Sequence, residues 1–264
     1  MSSRGAAVVT GASGGIGLEI ARVLAREGYD VALVARNSAR LEAIAAELEA
    51  EYKIRAVPIA LDLATDEAPK ALIDVLAARD VSDIAVLVNN AGFATYGKFA
   101  ETSLKEEVEE IHLNVLTLTV LTKLMLPAML ARGRGEILNV ASVAAFAPGP
   151  LMAVYYATKH FVLAFSESIA DELRGTGVSV TVLCPGATET GFTDRANMQE
   201  SKLFAGHKLP DARAVAEFGV AAMHAKKTVV IHGAANKALP WAARLLPRGM
   251  VTAIVRRVQA PRGH

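Results

Sequence analysis

One cysteine, Cys184, and one tryptophan, Trp241, are all that 264 residues contain of either type. A lone thiol excludes an internal disulfide and a cysteine-rich metal framework, and it suits a reducing cytoplasm. A surplus of charge is missing too: 28 basic against 27 acidic side chains leave a net +1, no overall field for holding a nucleic-acid backbone. Prolines number only 10, and 52% hydrophobic against 21% charged residues is the balance of a chain that buries a core. Apolar runs such as Asp83–Val88 and Val178–Leu183 fall far short of the roughly 20 residues that span a bilayer, so no transmembrane segment is expected. The amino terminus passes from Met-Ser-Ser-Arg straight into Ala-Ala-Val-Val, without the apolar stretch of a secretory signal, and a cytoplasmic location is expected.

Short apolar runs recur at Ala6–Thr10, Val31–Ala35, Ala56–Ala60, Ile84–Asn89, Glu136–Ala141, Val178–Cys184 and Thr228–His232. Their near-continuous Val, Ile, Leu and Ala content suits strands covered on both faces. Helix-length segments separate them, as where Leu41, Ile44, Ala45 and Leu48 form a stripe flanked by Glu42, Glu47 and Glu49. Alternation of this kind predicts right-handed crossovers and a parallel sheet. The expected architecture is a single-domain α/β fold over residues 1–264, a Rossmann-like doubly wound sheet of about seven strands with helices on both faces. Residues 188–210 lose periodicity and are expected to form a substrate loop or lid, while 237–264 read as a basic amphipathic extension.

The first strand runs into Thr10-Gly11-Ala12-Ser13-Gly14-Gly15-Ile16-Gly17, and a helical pattern follows from Leu18 to Glu27. Glycines let backbone N–H groups approach a pyrophosphate, and a helix amino terminus favours its negative charge. The first βα junction of a doubly wound sheet is where a dinucleotide binds. At the end of the second strand, where an NAD site places an acid for the ribose 2′-hydroxyl, this chain has Ala35 followed by Arg36. A guanidinium holds a 2′-phosphate through parallel charge-assisted hydrogen bonds, so NADP(H) is the expected cofactor. Ser13 either adds a hydroxyl to that phosphate or caps the helix.

Tyr155 and Lys159 form Y-x-x-x-K within a helical pattern over Ala153–Leu173, which places both on one face. Hydride addition to a carbonyl builds negative charge on oxygen and needs an acid to protonate it. A phenol titrates near about 10, and a neighbouring ammonium favours its ionised form, which gives lysine a reason to accompany tyrosine. Tyr156 points about 100° away on the same helix and is read as packing.

On Thr10, Gly11, Gly15 and Gly17, which match T-G-x-x-x-G-x-G, the sequence resembles the short-chain dehydrogenase/reductase family. Asn89-Asn90-Ala91-Gly92 is similar to the family's N-N-A-G element, and Asp62 to the acid that faces the adenine. Pro185 and Gly186, with Thr188, look like the element facing the nicotinamide carboxamide. The resemblance implies that Ser142 hydrogen-bonds the substrate oxygen, that Tyr155 is the acid/base and that Lys159 binds the nicotinamide ribose. It further implies that Asn114 holds a proton-relay water at a helix distortion. The implied cofactor set is Thr10, Gly11, Ser13, Gly15, Ile16, Gly17, Arg36, Asn37, Asp62, Leu63, Asn89, Ala91, Gly92, Tyr155, Lys159, Pro185, Gly186 and Thr188, with no metal.

The expected function is NADP(H)-dependent hydride transfer to or from a carbonyl or secondary alcohol on a mostly apolar substrate, such as a 3-oxoacyl group, a lipid ketone or aldehyde, or a steroid. Phe93, Ala94, Tyr96, Phe146–Leu151 and Phe192–Leu209 are the expected apolar lining. The alternatives are an NAD-linked alcohol or hydroxysteroid dehydrogenase and, from another class, a non-catalytic cofactor-sensing regulator. The family implies a homodimer or homotetramer. The tail carries Lys237, Arg244, Arg248, Arg256, Arg257 and Arg262 without an acid, interleaved with Trp241, Leu245, Leu246, Met250, Ile254 and Val255. It is expected to pack on protein or to touch an anionic membrane surface peripherally.

Overall fold

The computed structural model describes residues 4–189 and 209–260. All seven predicted strands form: β1 Ala6–Thr10, β2 Asp30–Ala35, β3 Ala56–Ala60, β4 Ile84–Asn89, β5 Gly135–Val140, β6 Val178–Cys184 and β7 Val229–Ile231. They lie parallel in one sheet of order β3-β2-β1-β4-β5-β6-β7. The helices are α1 Gly15–Arg26, α2 Ser38–Tyr52, α3 Ala68–Ala78, α4 Leu104–Ile111, α5 Leu118–Arg132, α6 Ala153–Glu172, α7 Ala212–His224, α8 Leu239–Leu245 and α9 Arg248–Gln259. The lid expected over 188–210 and the apolar lining expected over Phe192–Leu209 fall almost wholly on 190–208, outside the described residues.

Side chains alternate across a strand, so each strand feeds two cores. Ala7, Val9, Val31, Leu33, Val86 and Val88 face the layer where Ile20 and Leu24 of α1, Leu41, Ile44 and Leu48 of α2, and Val220 and Met223 of α7 are buried. Their neighbours Val8, Ala32, Val34 and Leu87 face the opposite layer, with Leu72 and Leu76 of α3 and Leu121, Met125 and Met129 of α5. A third cluster joins Val162 of α6 to Val182 and Cys184. Burial on both faces is why the strands read as unbroken apolar runs.

The helix spanning Leu104–Arg132 is long and apolar enough, by length and composition, to cross a bilayer. Its residues 112–131 carry a single Lys and no acid, Lys123 among otherwise uncharged side chains, which makes an apolar stretch longer than the short runs of the strands. In the fold, Leu118, Leu121, Met125 and Met129 of this helix are buried in the protein.

Strand order reverses between β1 and β4, which opens a crevice at their carboxyl ends. At the other end of the sheet, His224 bridges two carboxylates, with Nδ1 2.9 Å from Glu136 Oε2 and Nε2 2.8 Å from Glu27 Oε2. The Glu136 hydrogen bond, opposed by burial and joined by Glu27, holds the imidazole up at about 9. This clasp ties the ends of α1 and α7 to the start of β5. A folded value above the ordinary 6.5 means that its contribution is complete below pH 6.5 and lost as pH rises through about 9. Discounted for partial exposure, it is worth about 1–2 kcal/mol. Thermal unfolding followed from about pH 6 to pH 9.5 should therefore show a decline in Tm of several degrees that His224→Gln flattens; equal slopes for the two proteins would show the clasp to be idle.

Candidate functional site

The crevice is a cavity of about 520 Å³ running from the glycine turn to the carboxyl ends of β5 and β6. At one end stand Gly11, Ser13, Gly15 and Ile16 of the turn, with Arg36 and Asn37 after β2 and Asp62 and Leu63 after β3. Ala91 and Gly92 line its middle, and Ser142, Tyr155, Lys159, Pro185, Gly186 and Thr188 its far end. Ser13 does not cap α1, whose cap position is Gly14 with no side-chain hydrogen bond. Asn37 caps α2 by accepting from the Arg40 N–H at 3.0 Å. Asp62 Oδ1 accepts from the Ala64 N–H, and Thr188 Oγ1 donates to the Gly186 carbonyl.

Four residues expected at the cofactor or the chemistry stand behind the cavity wall instead. The Thr10 hydroxyl is buried, donates to the Val88 carbonyl at 3.0 Å, and accepts from the N–H groups of Asn90 at 2.9 Å and Ala91 at 3.0 Å. It is a rivet between β1 and β4, a role hidden in a motif that reads as phosphate binding. Asn89 is turned away from the groove, its Nδ2 donating to Asn139 Oδ1 at 2.9 Å and Thr122 Oγ1 at 3.2 Å. Gly17 packs beneath the turn, where an added Cβ would collide with the Gly11 carbonyl and Asn90 Nδ2. Gly11 has φ of +68°, and a Cβ there would stand 2.7 Å from the same Asn90 amide. Asn90 thus packs against both glycines while donating to the Thr10 carbonyl at 2.9 Å, and it lines the groove itself.

Asn114 is the fourth. It lies in a π-helical turn, His112–Thr117, between α4 and α5, so the helix distortion implied by the resemblance is present. Its Oδ1 accepts from the Phe93 N–H at 3.2 Å while Nδ2 donates to the Phe93 carbonyl at 2.9 Å and to Thr158 Oγ1 at 3.1 Å. Thr158 in turn donates to the Tyr155 carbonyl at 2.8 Å. Asn114 therefore braces the helix that carries Tyr155 and Lys159.

Helical spacing puts Lys159 Nζ 5.7 Å from the centre of the Tyr155 ring, and the ammonium donates to the Val140 carbonyl at 2.9 Å. Burial lowers the lysine to about 8, although Glu110 pulls it the other way. Burial drives the Tyr155 phenol upward, partly offset by a hydrogen bond with Ser142. Loss of water, and not the lysine, governs the phenol. A neutral phenol bonded to Ser142 and beside a buried ammonium can give a proton to an oxygen placed at the cavity's end.

Three neighbours carry no signal in the sequence. Tyr156, read as packing, lines the groove and receives a 2.5 Å hydrogen bond from Gln259 Nε2, which also lines it. The Gln259 carbonyl accepts from the Tyr96 hydroxyl at 2.6 Å. No local pattern signals a contact across 103 positions. Phe93 and Ala94 are buried in packing rather than lining the groove.

Glu110 is the third. It is fully buried at the end of α4, where Oε2 accepts from the Thr95 N–H at 2.8 Å and hydroxyl at 2.7 Å. Burial lifts its carboxyl to about 7 against those hydrogen bonds. Glu110 at Thr95 and Asn114 at Phe93 pin one extended segment along one helix. Because the folded value exceeds the ordinary 4.5, stability is complete below pH 4.5 and lost as pH rises through about 7, by up to about 3 kcal/mol. Glu110→Gln keeps an acceptor for Thr95 without the charge, so its Tm should match the wild type near about pH 5 and exceed it near about pH 8; a constant difference would show that Glu110 does not titrate in this range.

A family model described as short chain dehydrogenase matches residues 5–201. A ketoacyl reductase, HetN, of Nostoc sp. is 37% identical over 226 residues, which cover 85% of this chain and 77% of that protein. A short-chain dehydrogenase from Sphingobium yanoikuyae, solved in complex with NADPH, superposes with a TM-score of 0.81 at 32% identity over 98% of this chain and 99% of its own. One from Burkholderia phymatum, solved with NAD, gives 0.81 at 25% identity over 99% of both chains. The match runs from the glycine turn through Ser142, Tyr155 and Lys159, and the chain belongs to the short-chain dehydrogenase/reductase family.

Proposed function

We propose that this oxidoreductase reduces a carbonyl on a mostly apolar substrate at the expense of NADPH. The observation that carries the reading is the meeting of Ser142, Tyr155 and Lys159 at one end of a groove whose other end is the glycine turn and Arg36. A dinucleotide fits the residues present: a Cβ at Gly14 would meet only open space, and Arg36 is exposed without a carboxylate partner among the described residues. Ala35 supplies no acid for a 2′-hydroxyl, so Arg36 is left to take a 2′-phosphate. Bound nicotinamide supplies the hydride.

Tyr155 Oη donates the proton to the substrate oxygen, and Ser142 Oγ shares that oxygen's developing charge. Lys159 holds the ribose and keeps a positive charge near the phenol, with Val140 fixing its position. The neutral phenol is the proton donor in the reductive direction, and an NADPH supply drives the reaction that way. A substrate of the 3-oxoacyl kind suits the lining of Met152, Val143, Ala144 and Leu113. The protein works in a reducing cytoplasm, where buried Cys184 stays a thiol. Val108, Ile111 and Leu124 of the α4–α5 helix and Phe161 of α6 are exposed, and self-association into a dimer or tetramer would cover them.

Assay of a panel of 3-oxoacyl, steroid and small ketones with NADPH and NADH tests the reading. Tyr155→Phe should lower kcat by about 10²–10⁴-fold while NADPH binding, read by its fluorescence, persists. Arg36→Asp should weaken NADPH by about 10–100-fold and leave NADH nearly unchanged. A wild-type preference for NADH would instead identify an NAD-linked dehydrogenase. No turnover on any carbonyl, with cofactor still bound, would identify a cofactor-sensing regulator.

A further inference from the structure

After Glu217 the sequence has no Asp or Glu, and the two carboxyl-terminal helices carry its basic residues outward. Lys237, Arg244, Arg248, Arg256 and Arg257 are exposed, and none joins an ion pair among the described residues. Beside these cations, apolar side chains face water: Trp241 is 67% and Leu245 80% exposed on α8, and Met250 is 51% and Ile254 49% exposed on α9. The protein body already has its share of α9, taken through the next stripe, where Val251 and Gln259 are buried. Packing has therefore used one face of the helix and left a second apolar face, flanked by arginine, unpartnered.

We propose that α8 and α9 form a docking surface for an anionic lipid bilayer, which brings the substrate groove, walled at one point by Gln259 on the inner face of α9, close to the membrane. Charge complementarity selects this occupant. A second copy meeting the same patch across a two-fold axis would bring five cations against five without an acid to balance them. Anionic headgroups balance them, while Trp241, Leu245 and Ile254 enter the boundary between headgroups and acyl chains. Gln259 links surface and site: it ends the docked helix, hydrogen-bonds Tyr156 and Tyr96, and lines the groove. An apolar carbonyl compound dissolved in the bilayer would reach Tyr155 without crossing water. The delivery of such a substrate rests on the reductase reading above, whereas the docking does not.

Trp241 is the chain's single tryptophan and sits on the proposed surface, so its emission reports docking directly. The full-length protein should show a blue shift and a saturable titration with vesicles of phosphatidylcholine containing phosphatidylglycerol, and far weaker binding to phosphatidylcholine alone. Arg256→Gln with Arg257→Gln should weaken binding about five-fold for each charge removed. Leu245→Glu with Ile254→Glu should abolish it, with turnover of a small water-soluble ketone retained. Emission unmoved by anionic vesicles, or equal binding to neutral ones, would overturn the proposal. So would light scattering in which the Leu245→Glu, Ile254→Glu protein halves its mass, since a second copy would then be the occupant. Docking without turnover of any carbonyl would leave the surface standing and remove the reductase reading.

Discussion

The Thr10 hydroxyl stands where the two halves of the sheet diverge, and its hydrogen bonds close the gap between them. It donates to β4 through the Val88 carbonyl and receives the two N–H groups that follow that strand. A sheet that reverses its strand order has no covalent reason to keep β1 and β4 in register at their carboxyl ends. Yet the glycine turn leaves one of these strands and the Ala91-Gly92 segment leaves the other, so the shape of the groove depends on that closure. Asn90 repeats the closure one residue later, reaching back to the Thr10 carbonyl and packing where glycine has no side chain.

At the far end of the groove and just behind it, ionisable groups have been taken out of water together. Lys159 loses some of its hold on a proton, Glu110 gains one, and Tyr155 is held neutral, all chiefly through burial. Each shift is a cost that folding meets elsewhere, and the hydrogen bonds from Thr95 and to Val140 offset part of it. What results is a set of polar groups held near neutrality, whose interactions are not diluted by solvent and are arranged before any substrate arrives.

Much of this was legible from residues alone, for identifiable reasons. Strands buried on both faces announce themselves as unbroken apolar runs, so all seven were found, with β5 and β7 ending within a residue or so of expectation. The glycine turn, Ser142 and the Tyr155–Lys159 pair were legible because each rests on spacing within one element or its edge. Thr10, Asn89 and Gly17 share a motif with groove residues but act behind it, and a motif does not say which way a side chain turns. Glu110, Tyr156 and Gln259 were illegible because their meaning comes from contacts between segments remote in the chain.

The π-helical turn at His112–Thr117 holds a final consequence. Counted at 100° per residue, Glu107, Glu110, Asn114, Leu118, Leu121 and Met125 fall within a single narrow arc, as on one straight helix. The wide turn breaks that arc in two, so that Glu110 and Asn114 meet the Phe93–Thr95 segment while Leu121 and Met125 meet the core beside the sheet. Drawn into an ordinary helix with every residue kept, the segment would rotate one half against the other by roughly 100°. Helical content and catalytic alignment are thus independent properties of the same segment. A segment of the same length wound as a perfectly regular helix would keep its secondary structure and lose its grip on Phe93.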